Sequence, residues 1–314
     1  MVQADTTVEY PEMQAIARDL TDVLSSCGWE CAIVVPLTHE KLYNRILGIG
    51  NIPIHPGVTR MRWCTRSTKV DPMERWCSTN SSGLVLTGLR LGESTMRDGK
   101  IKRFGCAAGG ECGIPDPSER TYSPLLHWST CHVIDWLSGL VVCEVRDLMK
   151  DVIAVTKRLV QIYDVAVDHD VFEWADPVVT AARFGCIGCP AIQSEAQAPR
   201  SSIRRHGAGS PLNELYRVWF EARRPQNRCY RPGKPQGGPS KLGGYGPIRL
   251  EVRKRLFARV VDIQRRAGIA LVTPEDEAFI RQCWTDKVYP RGWSEADEST
   301  QPPSDSPLFD YRDE

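Results

Sequence analysis

Apolar residues recur at three- and four-residue spacing in several stretches of the chain, and this spacing predicts amphipathic helices. The first predicted helix begins at Pro11 and ends before Gly28. Its apolar face is formed by Met13, Ile16, Ala17, Leu20, Val23 and Leu24. The same spacing predicts a short helix over 131–137, a longer one over 145–162 and a last one over 247–268, which has a proline at its first turn and a glycine at its end.

Two short apolar runs do not alternate with polar residues, so they predict strands that are buried on both faces. These runs are CAIVVP at 31–36 and LVLTGL at 84–89. Such strands, separated by helical patterns, are typical of a parallel sheet covered by helices on both sides. The sequence therefore predicts an α/β fold followed by a mainly helical C-terminal region.

Two stretches poor in apolar residues mark boundaries between regions. RPGKPQGGPSKLGGYGP at 231–247 is so rich in glycine and proline that it predicts a loop or linker. The segment from Trp293 onward is acidic and rich in serine and proline, which predicts poor order. We therefore expect an α/β domain, a cysteine-containing basic region, a helical region and an acidic tail, at 1–180, 181–246, 247–292 and 293–314.

Composition is typical of globular proteins. The chain has 314 residues, of which 41% are hydrophobic and 25% are charged, and its formal net charge is +1. These values argue against a disordered or fibrous chain, and the length suits one large domain with an appendage, or two domains. The acidic start does not resemble a secretory signal, and no apolar run approaches the roughly 20 residues that cross a bilayer. We therefore expect a cytoplasmic protein with no membrane partner.

The net charge hides two regions of opposite sign. Residues 200–266 contain seventeen lysines or arginines and four acids, a charge of +13, so the rest of the chain carries −12. The same span contains the aromatic residues Tyr216, Trp219, Phe220, Tyr230 and Tyr245. Such a mixture can bind a phosphate backbone and stack on bases, so DNA or RNA is a predicted partner, with contacts at Arg253, Lys254 and Arg255. A solvated helix face followed by a basic linker would give the same composition.

The most specific chemical motif is RFGCIGCP, in which Cys186 and Cys189 form a C-x-x-C pair. Two thiolates at this spacing can bind one metal ion or cluster, and about two further ligands are then needed. The candidates are Cys64, Cys106 and Cys112, and the alternative is a pair of structural thiols in a turn. The remaining cysteines are predicted to be plain buried or surface thiols. No histidine pair has ligand spacing, so a zinc hydrolase is not indicated.

Basic residues flank Cys64 in the sequence, and others follow the second predicted strand. Lys69 and several arginines flank Cys64, whereas TGLRLGESTMR has Arg90 and Arg97 just after the strand, with Glu93 between them. Cationic groups at the carboxyl end of a parallel strand are where α/β sheets bind phosphate or sulfate. Ordinary arginines on a solvated loop are the alternative.

Five motifs, in the same order, resemble those of the phosphoadenosine-phosphosulfate reductase family of adenine-nucleotide α-hydrolases. They are ADTTVEYPEM at 4–13, RWCTRSTKVDPM at 62–73, VLTGLRLGES at 85–94, YSPLLHWSTCHVIDWL at 122–137 and RFGCIGCP at 183–190. Within the family, the chain is most similar to the iron–sulfur branch that includes the DNA-phosphorothioation sulfurtransferase. The resemblance covers about 4–292, because PIRLEVRKRLFARVVDIQ and LVTPEDEAFIRQCW are similar to the C-terminal region of that branch.

The resemblance implies a Rossmann-like parallel sheet with helices on both faces that binds an adenine nucleotide. It implies nucleotide- and phosphate-binding roles for Asp5, Thr6, Glu9, Lys69, Arg90, Glu93 and Arg97. It also implies an iron–sulfur cluster of the 4Fe–4S type, with zinc as the alternative metal. The implied ligands are Cys64, Cys112, Cys186 and Cys189, and Cys106 is the second choice for the fourth ligand.

The chain departs from the family pattern in three ways. Thr65 stands where the family's tandem-cysteine motif has its second cysteine, so the fourth ligand must come from elsewhere. Neither the pyrophosphate-binding loop S-G-G-x-D-S nor the C-terminal E-C-G-x-H nucleophile occurs in the sequence, and E-C-G at 111–113 is taken as a coincidence. We therefore expect either a fragment or a homologue that has lost ATP pyrophosphate chemistry.

Two hypotheses follow from these features. In the first, an enzyme of nucleotide-dependent sulfur metabolism uses the cluster near a sulfur-transfer step, with a sulfur-donor protein as partner and a nucleic acid as acceptor. In the second, the chain is a non-catalytic metal- and nucleic-acid-binding subunit of a sulfur-modification complex. The metal content distinguishes the two hypotheses, because iron and sulfide favour the enzyme and zinc favours the subunit.

Overall fold

The structure is a computed structural model, and it describes residues 1–53, 63–80, 85–91, 121–129, 132–133, 135–136, 150–166, 186–190, 207, 209–231 and 245–300. Contacts divide the chain into two compact units, each built from separate segments. The first unit comprises Met1, Glu12–Ala32 and Glu74–Arg183. The second comprises Val2–Pro11, Ile33–Met73 and Phe184–Glu314.

The described residues form a mixture of helices and short strands. The strands are β1 (Val2–Ala4), β2 (Ala32–Val34), β3 (Val85–Leu86), β4 (Thr121–Tyr122), β5 (Arg228–Tyr230) and β6 (Tyr245–Ile248). The longer helices are α1 (Pro11–Ser26), α2 (Asp71–Thr79), α3 (Lys150–Ala166), α4 (Leu215–Arg223), α5 (Leu250–Ala267) and α6 (Pro274–Thr285). Short helical segments occur at Thr38–Glu40, Asn44–Gly48, Trp63–Thr65, Arg66–Val70, Pro211–Glu214, Pro225–Asn227 and Glu295–Glu298. The strands pair as β1 with β2, β3 with β4, and β5 with β6.

Helix α1 confirms the amphipathic helix predicted at the start of the chain. Ile16 and Ala17 are buried on its apolar face. Gly28 follows the helix with φ +85°, a backbone conformation that glycine adopts readily and other residues rarely do. Strand β2 lies inside the predicted run at 31–36, and α3 covers much of the helix predicted at 145–162. Within the helix predicted at 131–137, the described residues 132, 133, 135 and 136 are helical.

A small parallel sheet forms where the sequence predicts the second strand. Val85 lies opposite Thr121 and Leu86 opposite Tyr122 in the pairing of β3 with β4. The amide of Thr87 extends the pairing by donating to the carbonyl of Tyr122 (2.8 Å). The prediction of burial on both faces is wrong for Leu86, whose side chain is 64% exposed. The fold is thus mixed helix and strand with a small parallel sheet.

Helix α5 forms much of the core of the second unit. Leu256, Val260 and Ile263 are buried on the face that the sequence predicts, and the helix ends at Gly268 with φ +66°. Its start differs from the prediction, because Pro247 lies in β6, which pairs antiparallel with β5. The pairing of these strands keeps the backbone in an extended conformation up to residue 248, so the helix begins only at Leu250. Within the described ranges, every helix is too short or too polar to cross a membrane.

Helix α6 is fixed at both ends. The Thr273 hydroxyl accepts a hydrogen bond from the Asp276 amide (3.2 Å), and the Asp276 carboxylate accepts one from the Thr273 amide (3.0 Å). This reciprocal capping satisfies two amides at the start of the helix. Near its end, the Trp284 indole donates to the carbonyl of Leu47 (2.8 Å), and its ring meets Phe257 edge-on at 5.3 Å. The helix is therefore held against both α5 and the Asn44–Gly48 segment.

The segment after Trp293 is ordered at its start, contrary to the prediction of poor order. Arg231 donates two hydrogen bonds to Asp297 (2.5 and 2.7 Å). The Leu250 amide, at the first position of α5, donates to the Glu298 carboxylate (2.6 Å). The acidic residues therefore pair with specific groups of the second unit, and the negative charge at the helix start is favourable. Residues 301–314 lie outside the described ranges.

Candidate metal and nucleotide site

The C-x-x-C pair lies in a tight turn at 186–190 in the second unit. Gly188 has φ +54°, and a Cβ at this position would lie 2.6 Å from Leu215 Cβ. Both the backbone conformation and the packing therefore require glycine here. Ile187, between the two cysteines and next to this glycine, is fully buried. The turn is thus fixed against the first residue of α4.

Hydrogen bonds join this turn to the N-terminal segment. The amide of Ile187 donates to the carbonyl of Val8 (2.7 Å), and the Tyr43 hydroxyl donates to the carbonyl of Ile187 (2.7 Å). The Thr6 hydroxyl lies 3.9 Å from Cys186 Sγ, within hydrogen-bonding distance for sulfur. The segment predicted to border a nucleotide and the segment predicted to bind metal are therefore neighbours.

Cys64 and Lys69 belong to the same cluster. Burial raises the pKa of Cys186 to about 12, and the nearby Cys189 adds to this increase. Lys69 and the Thr6 hydroxyl act in the opposite direction, while Cys64 raises the pKa further. Each of these groups is close enough to affect the charge on the Cys186 sulfur, so residues from three segments lie in the neighbourhood of one thiol.

Tyr43 packs against the cluster through its hydrogen bond to Ile187, and the sequence predicts no role for it. Its ring contacts Trp219 with 5.1 Å between centroids. Burial raises the pKa of Tyr43 well above its ordinary value, and the nearby Cys186 raises it further. No motif surrounds Tyr43, and its partners are distant along the chain. Only the three-dimensional contacts identify it.

The residues predicted to bind a nucleotide form a bent, partly exposed loop. Thr7 has φ +66°, which a β-branched residue rarely adopts, and its amide donates to the Asp5 carboxylate (2.7 Å). Glu9 pairs with Lys69, with 3.2 Å between carboxylate oxygen and ammonium nitrogen. The Lys69 side chain is 48% exposed, so its charge is accessible to solvent although it is paired.

Of the other predicted phosphate and metal ligands, only Arg90 is among the described residues. Arg90 belongs to the first compact unit. Glu93, Arg97, Cys106 and Cys112 lie outside the described residues. The structure thus brings together Asp5, Thr6, Glu9, Cys64, Lys69, Cys186 and Cys189 in the second unit.

The cysteine cluster partly fits a metal site. Its donors are thiols, which favour iron–sulfur clusters and zinc over magnesium or calcium. Because the pKa of Cys186 is raised, its thiol is protonated at neutral pH, and a bound cation would displace that proton. Among the described residues, no three His, Cys, Asp or Glu side chains form a metal-ligand group. At least one further ligand would therefore be needed around the pair Cys186 and Cys189.

Arg253 is not part of a nucleic-acid surface, which corrects the sequence prediction. Its side chain is fully buried. The guanidinium donates to the carbonyls of Gly48 and Val288, and its central carbon lies 4.6 Å from the centroid of the Tyr289 ring. Through these contacts, Arg253 holds α5 against neighbouring segments. Because its side chain is buried, it cannot reach a phosphate backbone from this position.

The other two predicted contact residues on α5 are exposed but already paired. Lys254 bonds Glu251 (2.7 Å), and Arg255 bonds Glu221 (2.8 Å). Glu221 also accepts a hydrogen bond from Arg259. Local acids thus compensate part of the positive charge of the span 200–266, which reduces its attraction for a polyanion.

Comparison with known proteins identifies no relative that would assign this site. No protein-family model, no curated protein and no solved structure matches the chain. The cysteine cluster, the N-terminal loop and the basic span are therefore the observations on which a function can be based.

Proposed function

We propose that the chain is a phosphoadenosine-phosphosulfate reductase-like protein of nucleotide-dependent sulfur metabolism, with a Rossmann-like sheet and a cytoplasmic location. One observation carries the proposal. Segments 5–9, 64–69 and 186–189 are distant along the chain but neighbours in the structure, since Thr6 lies 3.9 Å from the Cys186 sulfur and Lys69 pairs with Glu9. These segments fall in three of the sequence motifs that resemble the family.

In this proposal, Cys186 and Cys189 hold an iron–sulfur cluster of the 4Fe–4S type, Cys64 moves into ligand distance when the cluster binds, and Cys112 or Cys106 supplies the fourth ligand. When bound, such a cluster would supply electron- or sulfur-transfer chemistry. Thr6 and Lys69 would stabilise the negative charge of the ligating sulfurs, because both lower the pKa of Cys186.

An adenine nucleotide would border the loop that contains Asp5, Thr6 and Glu9. Lys69 would bind its phosphate or sulfate by exchanging Glu9 for the ligand. This exchange is feasible because the Lys69–Glu9 pair is exposed to solvent, and exposed ion pairs contribute only ~0–1 kcal/mol. A phosphate group carries more charge than a carboxylate and competes well for an ammonium group.

The sulfur acceptor would be a nucleic acid held by the basic span 200–266. Arg253 takes no part, since it is buried. Arg224 is exposed, and it follows α4 directly in the chain. A sulfur-donor protein would be a further partner of the enzyme.

A second function is favoured by the pairing of Lys69 with Glu9. The lysine charge is compensated in the free chain, as expected if no nucleotide binds. In this case, the cysteines hold zinc or a structural cluster, and the chain is a non-catalytic metal- and nucleic-acid-binding subunit of a sulfur-modification complex.

The test is anaerobic purification of the full chain followed by analysis of iron, sulfide and zinc. The proposal expects a brown protein with iron and sulfide, which Cys186→Ser and Cys189→Ser lose. Cys77→Ser is the control, since Cys77 lies on α2 in the other unit, and it should keep its iron. A colourless zinc protein would support the subunit, and unchanged iron in both cysteine variants would refute the proposed ligands.

A further inference from the structure

The second unit contains a cavity of about 240 Å³, and none of the residues of the cysteine cluster line it. Its walls include Trp63, Arg228, Tyr245, Gly246 and Trp293. Pockets for drug-sized ligands have volumes of roughly 300–1,000 Å³, so this cavity suits a smaller molecule. The aromatic walls favour a planar one.

Arg228 gives this cavity a buried positive charge. The residue is 7% exposed, and its Nε donates to the carbonyl of Gly246 (2.6 Å). Among the described residues, no carboxylate pairs with it, and burial lowers its pKa to about 10. A buried guanidinium without a counter-charge is costly, so a ligand that offers acceptors would be stabilising.

Two tryptophans are fixed at the cavity by cations and by close packing. The guanidinium carbon of Arg45 lies 4.3 Å from the centroid of the Trp63 ring, and that of Arg231 lies 4.6 Å from the centroid of the Trp293 ring. A Cβ on Gly246 would lie 2.4 Å from the Trp293 ring, so the indole packs directly on the backbone. Both rings are therefore held in place before a ligand arrives.

Several of the side chains that line the cavity can donate hydrogen bonds. Trp63 Nε1 and the Tyr245 hydroxyl are buried and have no hydrogen-bond partner among the described residues. An indole N–H and a guanidinium can only donate, and a hydroxyl can donate as well. A matching ligand is planar and presents acceptors along one edge. Among nucleobases, guanine does so through O6 and N7, and arginine binds this pair of atoms in other proteins.

We propose that this cavity binds a nucleobase, guanine in preference to adenine, with its acceptor edge toward Arg228. A phosphate alone would leave Trp63 and Trp293 unused, whereas an uncharged hydrocarbon ring would leave Arg228 without acceptors. Trp63 is adjacent in sequence to Cys64, a proposed metal ligand. The inference deepens the proposed function and rests on it for its role, since the base would belong to the nucleic-acid acceptor, whereas the proposed adenine nucleotide borders a different loop.

Calorimetry on the full chain tests this binding with GMP, AMP, inorganic phosphate and short single-stranded oligo-dG and oligo-dA. We expect GMP to bind roughly ten-fold more tightly than AMP, and phosphate alone not to bind. Oligo-dG that binds more tightly than GMP, with affinity falling steeply with salt, would indicate a strand as the source of the base. Oligo-dG that binds no better than GMP would indicate a free nucleotide. Equal binding of GMP and AMP, or none, would overturn the proposal.

Variants then locate the base. Trp293→Leu and Arg228→Gln should each weaken GMP binding by roughly ten-fold or more. Arg228→Lys keeps the charge but loses the forked donors, so it should also weaken GMP binding. It replaces Arg228→Gln in the test if that variant is unstable. The controls Trp29→Leu and Arg18→Gln change exposed residues of the other unit and should bind normally. Normal GMP binding by Trp293→Leu would refute the site.

The cysteine variants separate this inference from the proposed function. Cys186→Ser should lose iron but keep GMP binding, because Cys186 does not line the cavity. A protein without iron that still binds GMP would refute the proposed cluster and leave the base-binding cavity intact. A protein with iron that binds no base would refute the base-binding cavity and leave the proposed cluster intact.

Discussion

Two regions of the second unit hold buried charges in different ways. At the start of α6, the Asp276 carboxylate accepts hydrogen bonds from Lys41 (2.8 Å), Asn44 (2.7 Å) and the Thr273 hydroxyl (2.8 Å). In the cavity, the Arg228 side chain has one hydrogen bond, to a backbone carbonyl. The first charge is surrounded by protein partners, whereas the second is incompletely paired within the described structure.

This difference distinguishes charges that stabilise the fold from charges available to a ligand. A buried ion with a complete set of partners stabilises the folded state relative to variants that lack one partner. A buried ion with too few partners destabilises the free protein, and a ligand can recover that free energy. Arg253 lies between these cases, because its Nη1 donates to two carbonyls and the Tyr289 ring and Glu298 lie nearby, the latter at 3.9 Å. Its Nε and Nη2 have no hydrogen-bond partner among the described residues.

The largest effect is expected from Asp276→Asn. The substitution leaves Lys41, whose side chain is only 17% exposed, without its counter-charge. Breaking a buried pair in this way costs about 3–5 kcal/mol. Urea unfolding of the full chain, followed by tryptophan fluorescence, measures the decrease in stability. Asp286→Asn is the control, since Asp286 is exposed at the end of the same helix and should change stability by less than about 0.5 kcal/mol.

The same carboxylate predicts a pH dependence that Asp276→Asn removes. Burial alone would raise the pKa of Asp276, but hydrogen bonds from Lys41, Asn44 and Thr273 outweigh it and hold the pKa below its ordinary value. A lowered pKa stabilises the fold above the unfolded value of about 3.9, and this stability is lost as the pH falls through the folded pKa. Below about pH 4, wild type and variant should therefore converge in stability. A constant difference down to pH 2 would contradict this assignment.

The helices were predictable because their signal is local. In α1 and α5, the apolar residues follow one face and a glycine ends the helix, and both features can be found without knowledge of distant contacts. The start of α5 was not predictable in this way. Pro247 suits a first helical turn equally well, but pairing with β5 places it in a strand, and that strand partner lies some twenty residues earlier in the chain.

The site was predictable only where its residues are close in sequence. Cys186 and Cys189 form a motif, whereas Cys64 was one of three candidates for a further ligand, and only the family resemblance favoured it over Cys106. The cavity had no signal, because Trp63, Arg228 and Trp293 are distant in sequence and meet only after the second unit folds. Counting charges does not reveal burial, so composition alone treats a buried arginine and a surface arginine alike.

A smaller effect is expected from replacing the two buried arginines with methionine. Arg253→Met removes two carbonyl hydrogen bonds of a charged group, each worth about 1.5–3 kcal/mol. Because it also removes two buried nitrogens that have no hydrogen-bond partner among the described residues, the net destabilisation should be about 2–4 kcal/mol. Arg228→Met should change stability by less than about 1 kcal/mol, because loss of one hydrogen bond is offset by removal of an unpaired buried charge. Denaturant unfolding compares them. Equal destabilisation would show that Arg228 is as structural as Arg253, and would abolish the contrast between the regions.

The smallest effects are expected on the surface of the basic span. Lys254→Gln and Arg255→Gln each remove an exposed ion pair, with Glu251 and Glu221 respectively, so stability should change by at most about 1 kcal/mol. Nucleic-acid affinity should fall less in these variants than in Arg224→Gln. A residue already paired with a carboxylate must give up that partner before it binds a phosphate, which reduces its net contribution.

Salt titrations of binding to a single-stranded oligonucleotide measure this difference. The slope of log affinity against log salt concentration falls by about 0.7 for every phosphate of a single strand that the protein no longer neutralises. We therefore expect Arg224→Gln to lower the slope by about that amount and Lys254→Gln to lower it by less. If Lys254→Gln lowers the slope as much as Arg224→Gln, pairing within the protein does not decide which charges of this span reach a nucleic acid.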